Sequence, residues 1–252
     1  MRTTPPIVIA HRGACGYLPE HTLAAKVLAH AMGADFIEQD VVLTRDEVPI
    51  VLHDVYLDST TDVAEKFPGR ARDDGRYYAI DFDLAEIRQL RVRERCLTEP
   101  LRPDQAVYPK RFPAGPALFQ VPTLEEEITL LAGLDISRQC TTGVYIEFKA
   151  PNWHRRQGAD LVAAVLDVLD RTGYATRSEQ VFLQCFDDRT LRRIRDEGLS
   201  RLPMIQLIAE NVWGEDSEAD YDYLRTPEGL SYVAEYARGI GPYLPHIYLG
   251  RD

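Results

Sequence analysis

The 252-residue chain lacks several features that would assign it to a common class of proteins. It has no run of 18 apolar residues, so no membrane-spanning helix is predicted. The patterns GxGxxG and GxxxxGK[ST] do not occur, which leaves dinucleotide binding and a Walker-type phosphate loop unsupported. Its four cysteines form neither a CxxC pair nor a zinc-binding spacing, and we expect free thiols in or near the core.

Basic charge is also scarce. The chain has 29 Lys and Arg against 40 Asp and Glu, for a net charge of −11. This balance excludes broad nucleic-acid binding, because phosphate backbones need a basic surface. A small anionic substrate remains compatible with a local positive pocket or a bound divalent cation. The N-terminus, MRTTPPIVIAHRG, is too short before the first strand for a signal peptide. A cytoplasmic protein is predicted, or a periplasmic one if a leader was removed.

Apolar strands alternate with amphipathic helices along the chain. Helix starts are marked by Thr123 with Glu126 as a capping box and by Thr226 with Pro227, and Gly239 is the expected stop of the second of these helices. Such alternation predicts an α/β fold with a parallel sheet covered by helices. A (β/α) TIM barrel is favoured, since polar groups recur at several strand ends. The predicted strands are 7–10, 36–44, 143–149, 181–186, 203–208 and about 238–241.

Residues 54–120 interrupt this alternation. They include FPGRARDDGRYYAIDFDLAEIRQL and the Pro-rich PAGPALFQVP. A connection of this length is usually functional or a small subdomain. We therefore predict an inserted subdomain at 54–120, called the insertion below, within a domain that spans residues 1–252.

Charged groups lie where a buried strand should be apolar. Glu38 and Asp40 share one face of their strand, as do Glu147 and Lys149 of theirs. Such groups are costly unless they are paired or bind an ion. Three converging carboxylates, Glu38, Asp40 and Glu147, suit Ca²⁺ or Mg²⁺ rather than zinc or copper. The alternative is a buried network in which these carboxylates pair with Lys149 and arginines.

Two histidines are predicted at the same cluster. His11 ends the first strand, and His53 follows PIVL. If Asp46 and Glu47 form a two-residue hairpin loop, Asp40 opposes His53, although this loop lacks the usual glycine. Imidazoles titrate near neutral pH, so the pair suits acid–base catalysis.

Two cations complete the predicted site. Arg12 and Lys149 suit the oxygens of a phosphate, Arg as a fork and Lys as a point charge. His21 is placed at the mouth of the barrel, whereas His30, His154 and His246 are expected on the surface.

The arrangement HRGA…PEHT…EQDVVLT…VPIVLHD…IEFKAP…LQCFD resembles the glycerophosphodiester phosphodiesterases. Within them, the segments PEHT, DVAEKFPGRARDDGRYYAIDF and LQCF most resemble the bacterial periplasmic branch. The resemblance implies a TIM barrel with an inserted subdomain that hydrolyses glycerophosphodiesters to glycerol 3-phosphate and an alcohol. It implies His11 and His53 as the acid–base pair, and a divalent cation, typically Ca²⁺, held by the three carboxylates named above. Arg12 and Lys149 would bind phosphate, and Gln184 of LQCF would line the pocket.

The chain departs from that family at its end. Six barrel strands are predicted where the family has eight, so we expect a barrel truncated before its last two strands, open beside the first strand. From Pro242 to Asp252 we expect no regular element. Three alternatives remain: a lysophospholipase D or sphingomyelinase D-like enzyme, a metal-free phospholipase C-like enzyme with a histidine pair, and a non-catalytic, metal-binding relative.

Overall fold

The structure is a computed structural model that describes residues 6–98, 101–115 and 118–248. Its strands are β1 Ile9–Ala10, β2 Phe36–Leu43, β3 Pro49–Val51, β4 Cys96–Thr98, β5 Leu101–Ala106, β6 Gly143–Phe148, β7 Val181–Cys185, β8 Met204–Ile208 and β9 Gly239–Pro242. Its α-helices are α1 Leu23–Ala31, α2 Val63–Lys66, α3 Leu84–Ile87, α4 Leu124–Arg138, α5 Pro151–Arg156, α6 Leu161–Arg171, α7 Asp188–Asp196, α8 Tyr221–Leu224 and α9 Pro227–Ala234.

All six predicted barrel strands are present. They pair in the order β1-β2-β6-β7-β8-β9, every pair is parallel, and β3 adds an antiparallel partner to β2. The sheet curls into part of a barrel with helices on its outside. The predicted α/β, TIM-like fold is therefore confirmed.

The two faces of the curled sheet carry different side chains. Outward residues such as Ile37, Ile146 and Leu183 are fully buried against α4 and α6. The inner face begins with an aromatic layer, in which the Phe36 and Phe182 rings lie 5.3 Å apart and Tyr145 lies 5.6 Å from Phe182. Since side chains alternate along a strand, the residues that follow on this inner face are the charged ones.

Several helix boundaries follow the predicted caps. Thr123 and Glu126 form the capping box of α4, and Thr226 caps α9 with Pro227 at its first position. The predicted stop of α9 at Gly239 is wrong. The helix ends at Ala234, and Gly239 opens β9, where it pairs with Ile205.

The register of the β2–β3 hairpin differs from the prediction by one residue. Leu43 pairs with Pro49 rather than Ile50, and the Asp40 carbonyl accepts from the Leu52 amide at 2.9 Å. The cause is a three-residue loop in which Glu47 has a φ of 57°, a left-handed conformation that closes the longer turn. Asp40 therefore lies opposite Leu52, one residue before His53.

The insertion is built from short elements around a hydrophobic cluster of its own. Buried residues of this cluster include Leu57, Phe82 and Leu90, and they pack against Val42 and Ile50 of the hairpin. The insertion thus rests on the end of β2 and β3. Its standing as a separate subdomain stays a prediction.

At the end of the described chain, β9 includes Pro242, and a 3₁₀ turn follows at Leu244–His246. We expected no regular element from Pro242 to Asp252, and this is wrong for residues 242–246. The last residues of that range, 249–252, lie outside the described part of the chain. Among the described residues β1 and β9 do not pair with each other, and Ile7 is 67 % exposed beside β1. The proposed loss of two strands stays a prediction.

In the described ranges no helix has the length and apolar character needed to span a bilayer.

Candidate active site

The predicted site residues lie at the mouth, which we define as the end of the sheet where the parallel strands finish. His11 follows β1, and His53 follows β3 by two residues. The register places Asp40, Glu147 and Gln184 in one row across β2, β6 and β7. In a parallel barrel this end of the sheet is where reactive groups from separate strands converge.

A compact group of ligand-type atoms lies at the centre. Glu38 is 3 % exposed and Asp40 is 1 % exposed. The His21 Nε2 atom lies 2.7 Å from Asp40 Oδ2, and the donor atoms of His21, Glu38 and Asp40 lie within 4.8 Å of one another. The structure therefore brings the two predicted carboxylates together, and it adds His21, which the sequence placed only at the mouth.

Burial and neighbouring charges set the pKa values of the two carboxyl groups, Glu38 and Asp40. Burial, with the charge of Asp40, raises the pKa of Glu38 well above its ordinary value. Burial also acts to raise the pKa of Asp40, but His53 and His21 outweigh it and the pKa lies well below the usual range. The Asp40 Oδ1 atom is buried without a hydrogen-bond partner among the described residues. An orphaned carboxylate oxygen beside a second carboxylate fits a hard divalent cation.

The carboxyl group of Glu147 and the ammonium of Lys149 lie in contact, buried next to this group. The Lys149 Nζ atom lies 2.7 Å from Glu147 Oε1. Burial raises the pKa of Glu147 to about 8, and Asp40 adds to this rise while Lys149 opposes it. Burial acts to lower the pKa of Lys149, but Glu147 and Asp40 raise it overall. Lys149 is thus a fixed cation at the mouth. Gln184 lies beside Glu147 and is 5 % exposed.

The two histidines have different surroundings. The His53 Nδ1 atom lies 2.6 Å from Asp54 Oδ1, which leaves Nε2 free to face the site. His11 is exposed as a residue, but partial burial of its imidazole, which disfavours the charged form, and the charge of Arg12 lower its pKa. His53 lowers the pKa of His11 and of Asp40, and Asp40 acts to raise the pKa of His11. Both rings therefore lie close enough to Asp40 to interact with its charge.

Arg12 contributes its backbone as well as its side chain. Its amide donates to Glu38 Oε2 at 2.6 Å, and its NH1 donates to both oxygens of Glu20 at 3.1 Å. Arg12 has a φ of 59° and His21 one of 58°, and the His21 amide donates to the Arg12 carbonyl at 3.1 Å. Left-handed backbone at non-glycine residues costs free energy and is concentrated at functional sites.

Behind the site lies a buried ion pair that the sequence analysis missed. Lys26 of α1 and Glu127 of α4 are fully buried, with Nζ and Oε1 2.9 Å apart. Lys26 also donates to the Glu38 carbonyl, and Gln39 donates to Glu127 at 2.8 Å. This pair ties two helices to the backbone of β2 at the candidate ligands. A lysine and a glutamate in amphipathic helices give no local signal of burial.

The surface assignment of three other histidines is wrong for two of them. His154 is fully buried and accepts from the Leu43 amide at 3.1 Å, and His30 is 2 % exposed. His246 is half-buried and lies 2.6 Å from Glu210.

The His30 Nε2 atom lies near Asp135 and Cys140, a combination of metal-ligand types. Because Arg138 donates to its Nδ1 at 2.8 Å, the proton of the neutral ring is on Nε2 and that atom has no free lone pair for an ion.

Comparison with known proteins identifies the family. The model of the glycerophosphoryl diester phosphodiesterase family matches residues 11–247. A glycerophosphodiester phosphodiesterase of Haemophilus influenzae is 44 % identical over 94 % of this chain and 68 % of its own length. One of Treponema pallidum is 41 % identical over 94 % of this chain and 70 % of its own. A solved structure from Silicibacter pomeroyi, named for the same activity, is 28 % identical with a TM-score of 0.72, and the match covers 98 % of this chain and 78 % of that one. The chain belongs to the glycerophosphoryl diester phosphodiesterase family, a family of phosphodiester hydrolases.

Proposed function

We propose that the protein hydrolyses glycerophosphodiesters, such as glycerophosphocholine, to sn-glycerol 3-phosphate and an alcohol. One observation carries this proposal. Buried carboxylates, two histidines and two cations from separate strands converge on one mouth, with Asp40 at their centre. Hydrolysis of a phosphodiester needs such groups, because the negative charge on the phosphate must be neutralised and protons must be transferred at the nucleophile and at the leaving group.

Glu38, Asp40 and Glu147 are the proposed ligands of a divalent cation, for which Ca²⁺ is favoured and Mg²⁺ is the alternative. His21 adds an imidazole beside them, within hydrogen-bond distance of Asp40. The orphaned Asp40 Oδ1 atom supports this assignment, since a cation would satisfy it. When bound, the ion would neutralise phosphoryl oxygens as negative charge builds on them.

His11 and His53 are the proposed acid and base. Asp54 accepts from His53 Nδ1, which fixes the tautomer and directs Nε2 toward the substrate. One imidazole takes the proton of the nucleophile, and the other gives a proton to the leaving alkoxide. The nucleophile is water or the 2-hydroxyl of the glycerol, and the second route passes through a cyclic phosphate.

Arg12, Lys149 and Gln184 are the proposed substrate-binding residues. The Lys149 ammonium and the Arg12 guanidinium are only 11 % and 14 % exposed, so their attraction for phosphate is weakly screened. Gln184 offers an amide next to Glu147 in the row at the mouth. The resemblance to the periplasmic branch stays a prediction.

The test is choline release from glycerophosphocholine and, in parallel, from lysophosphatidylcholine. We expect turnover of the first substrate by the wild-type chain and its loss in Asp40→Asn, which keeps the size of the side chain but removes its charge. Preference for lysophosphatidylcholine would support the lysophospholipase D alternative. A folded chain without turnover of either substrate would support the non-catalytic one.

A further inference from the structure

Arg95 of the insertion spans two parts of the candidate active site. Its NH1 donates to Asp54 Oδ2 at 2.6 Å, its NH2 to Glu20 Oε1 at 2.6 Å, and its Nε to Glu20 Oε2 at 3.1 Å. The side chain is only 14 % exposed. One planar guanidinium thus holds two carboxylates that are distant in the sequence, Glu20 after β1 and Asp54 after β3.

Each of these carboxylates contacts a residue with a proposed role. Asp54 Oδ1 accepts from His53 Nδ1 at 2.6 Å. Glu20 accepts twice from Arg12 NH1 and is adjacent in sequence to His21. Among the described residues Arg95 hydrogen-bonds to none of the proposed ion ligands, but through Asp54 and Glu20 it is one residue removed from His53 and from Arg12.

We propose that Arg95 is a positioning residue through which the insertion sets the orientation of His53 and the place of Arg12; this rests on the proposed function. Without the guanidinium, Asp54 keeps only Ser59 Oγ, at 2.6 Å, to hold its second oxygen. Its carboxylate then turns, and the imidazole it fixes turns with it. Glu20, which shares its charge between Arg95 and Arg12, becomes bound to Arg12 alone and competes more strongly with phosphate.

A purely structural role for Arg95 makes a different prediction, and Arg93 supplies the matched control. Arg93 lies two residues away, its side chain is 7 % exposed, and it pairs with Glu65 at 3.2 Å. It is a buried arginine of the same segment whose partner is an exposed carboxylate outside the site. Arg93→Ala should cost stability as Arg95→Ala does, yet leave kcat within about twofold of wild type, as expected for a group without catalytic neighbours.

The experiment measures kcat and KM for glycerophosphocholine with saturating Ca²⁺. We expect Arg95→Ala to lower kcat by about 10–100-fold, the usual effect of losing a group that orients a reactive residue, and to raise KM. Arg95→Lys should recover only part, because an ammonium cannot reproduce the two-sided fork. Guanidinium chloride below denaturing concentrations should restore part of the activity of Arg95→Ala, and it should not stimulate wild type or Arg93→Ala.

A double-mutant cycle with Asp54→Ala completes the test. If Arg95 acts on His53 through Asp54, then Arg95→Ala should lower kcat much less in the Asp54→Ala background than in wild type. Suppose that the wild-type chain is active and that a folded Arg95→Ala or Arg95→Lys variant has the same kcat. That result would overturn the inference about Arg95 and leave the proposed function standing. An inactive wild-type chain would overturn the proposed function and the inference together.

Discussion

Replacement of Lys26 by Met should destabilise the fold strongly, and more at neutral than at acidic pH. The Lys26 ammonium and the Glu127 carboxylate are fully buried 2.9 Å apart, so the substitution leaves an uncompensated charge in the core. Breaking a buried pair from one side costs about 3–5 kcal/mol. For a chain of this length that loss lowers the melting temperature by roughly 6–20 °C.

The pH dependence follows from Glu127. Burial raises its pKa, and Lys26 is the foremost group that opposes the rise, so Lys26→Met should raise that pKa further. An acid whose folded pKa exceeds its unfolded value contributes stability below the unfolded pKa and loses it as pH rises through the folded one. Near pH 5 the variant can therefore keep Glu127 protonated with little loss in the free energy of unfolding. At about pH 8 it must either bury the charged carboxylate or keep a proton that the unfolded chain would release, and both lower the free energy of unfolding.

Urea unfolding of wild type, Lys26→Met, Glu127→Gln and the double variant at both pH values measures this coupling. The double variant should lie close to wild type, since replacing both partners removes the unpaired charge. A loss below about 1 kcal/mol in Lys26→Met at about pH 8, or equal losses at the two pH values, would show that Glu127 carries no uncompensated buried charge in the variant.

Three other predictions concern the site and the sheet. His11→Ala and His53→Ala should each lower kcat by roughly 10²–10⁴, the usual contribution of a positioned acid or base, and a variant with wild-type kcat would show that histidine to be structural. Gly143→Ala should destabilise by about 1–3 kcal/mol, because its Cβ would lie 2.2 Å from the Phe36 ring, whereas Gly133→Ala meets open space in α4 and should stabilise; equal unfolding midpoints for the two variants would contradict this. Ca²⁺ affinity should increase as the pH rises toward about 8, by about tenfold per pH unit for each proton displaced, because the pKa values of Glu147 and Glu38 are both raised and both groups must lose a proton to bind the ion; calorimetry that shows no proton release would contradict it.

The strands and helix starts were predictable because their signals are local. Apolar runs gave all six barrel strands, and the caps at Thr123 and Thr226 needed only a few neighbouring residues. The hairpin register was missed because it depends on whether Glu47 adopts a left-handed conformation. The sequence Asp-Glu does not indicate this conformation, since neither residue is a glycine or an asparagine. A single backbone angle thereby shifted the partner of Asp40 by one residue.

The candidate site was predictable where the strand pattern itself was violated. Glu38, Asp40 and Glu147 stand out because carboxylates do not belong on buried strands. Arg95 and Glu20 could not be found that way, since arginine and glutamate in loops are ordinary surface residues. Their importance comes from long-range contacts that only the folded chain creates.

Phosphorus NMR of glycerophosphocholine incubated with the chain reports directly on the proposed cation-dependent hydrolysis. With Ca²⁺ present, we expect loss of the diester signal and growth of sn-glycerol 3-phosphate, with equimolar choline. Chelation by EDTA and the Asp40→Asn substitution should each abolish the conversion, and added Ca²⁺ should restore it only in the chelated wild type. Undiminished hydrolysis after exhaustive chelation, or in Asp40→Asn, would contradict a cation-dependent site centred on Asp40.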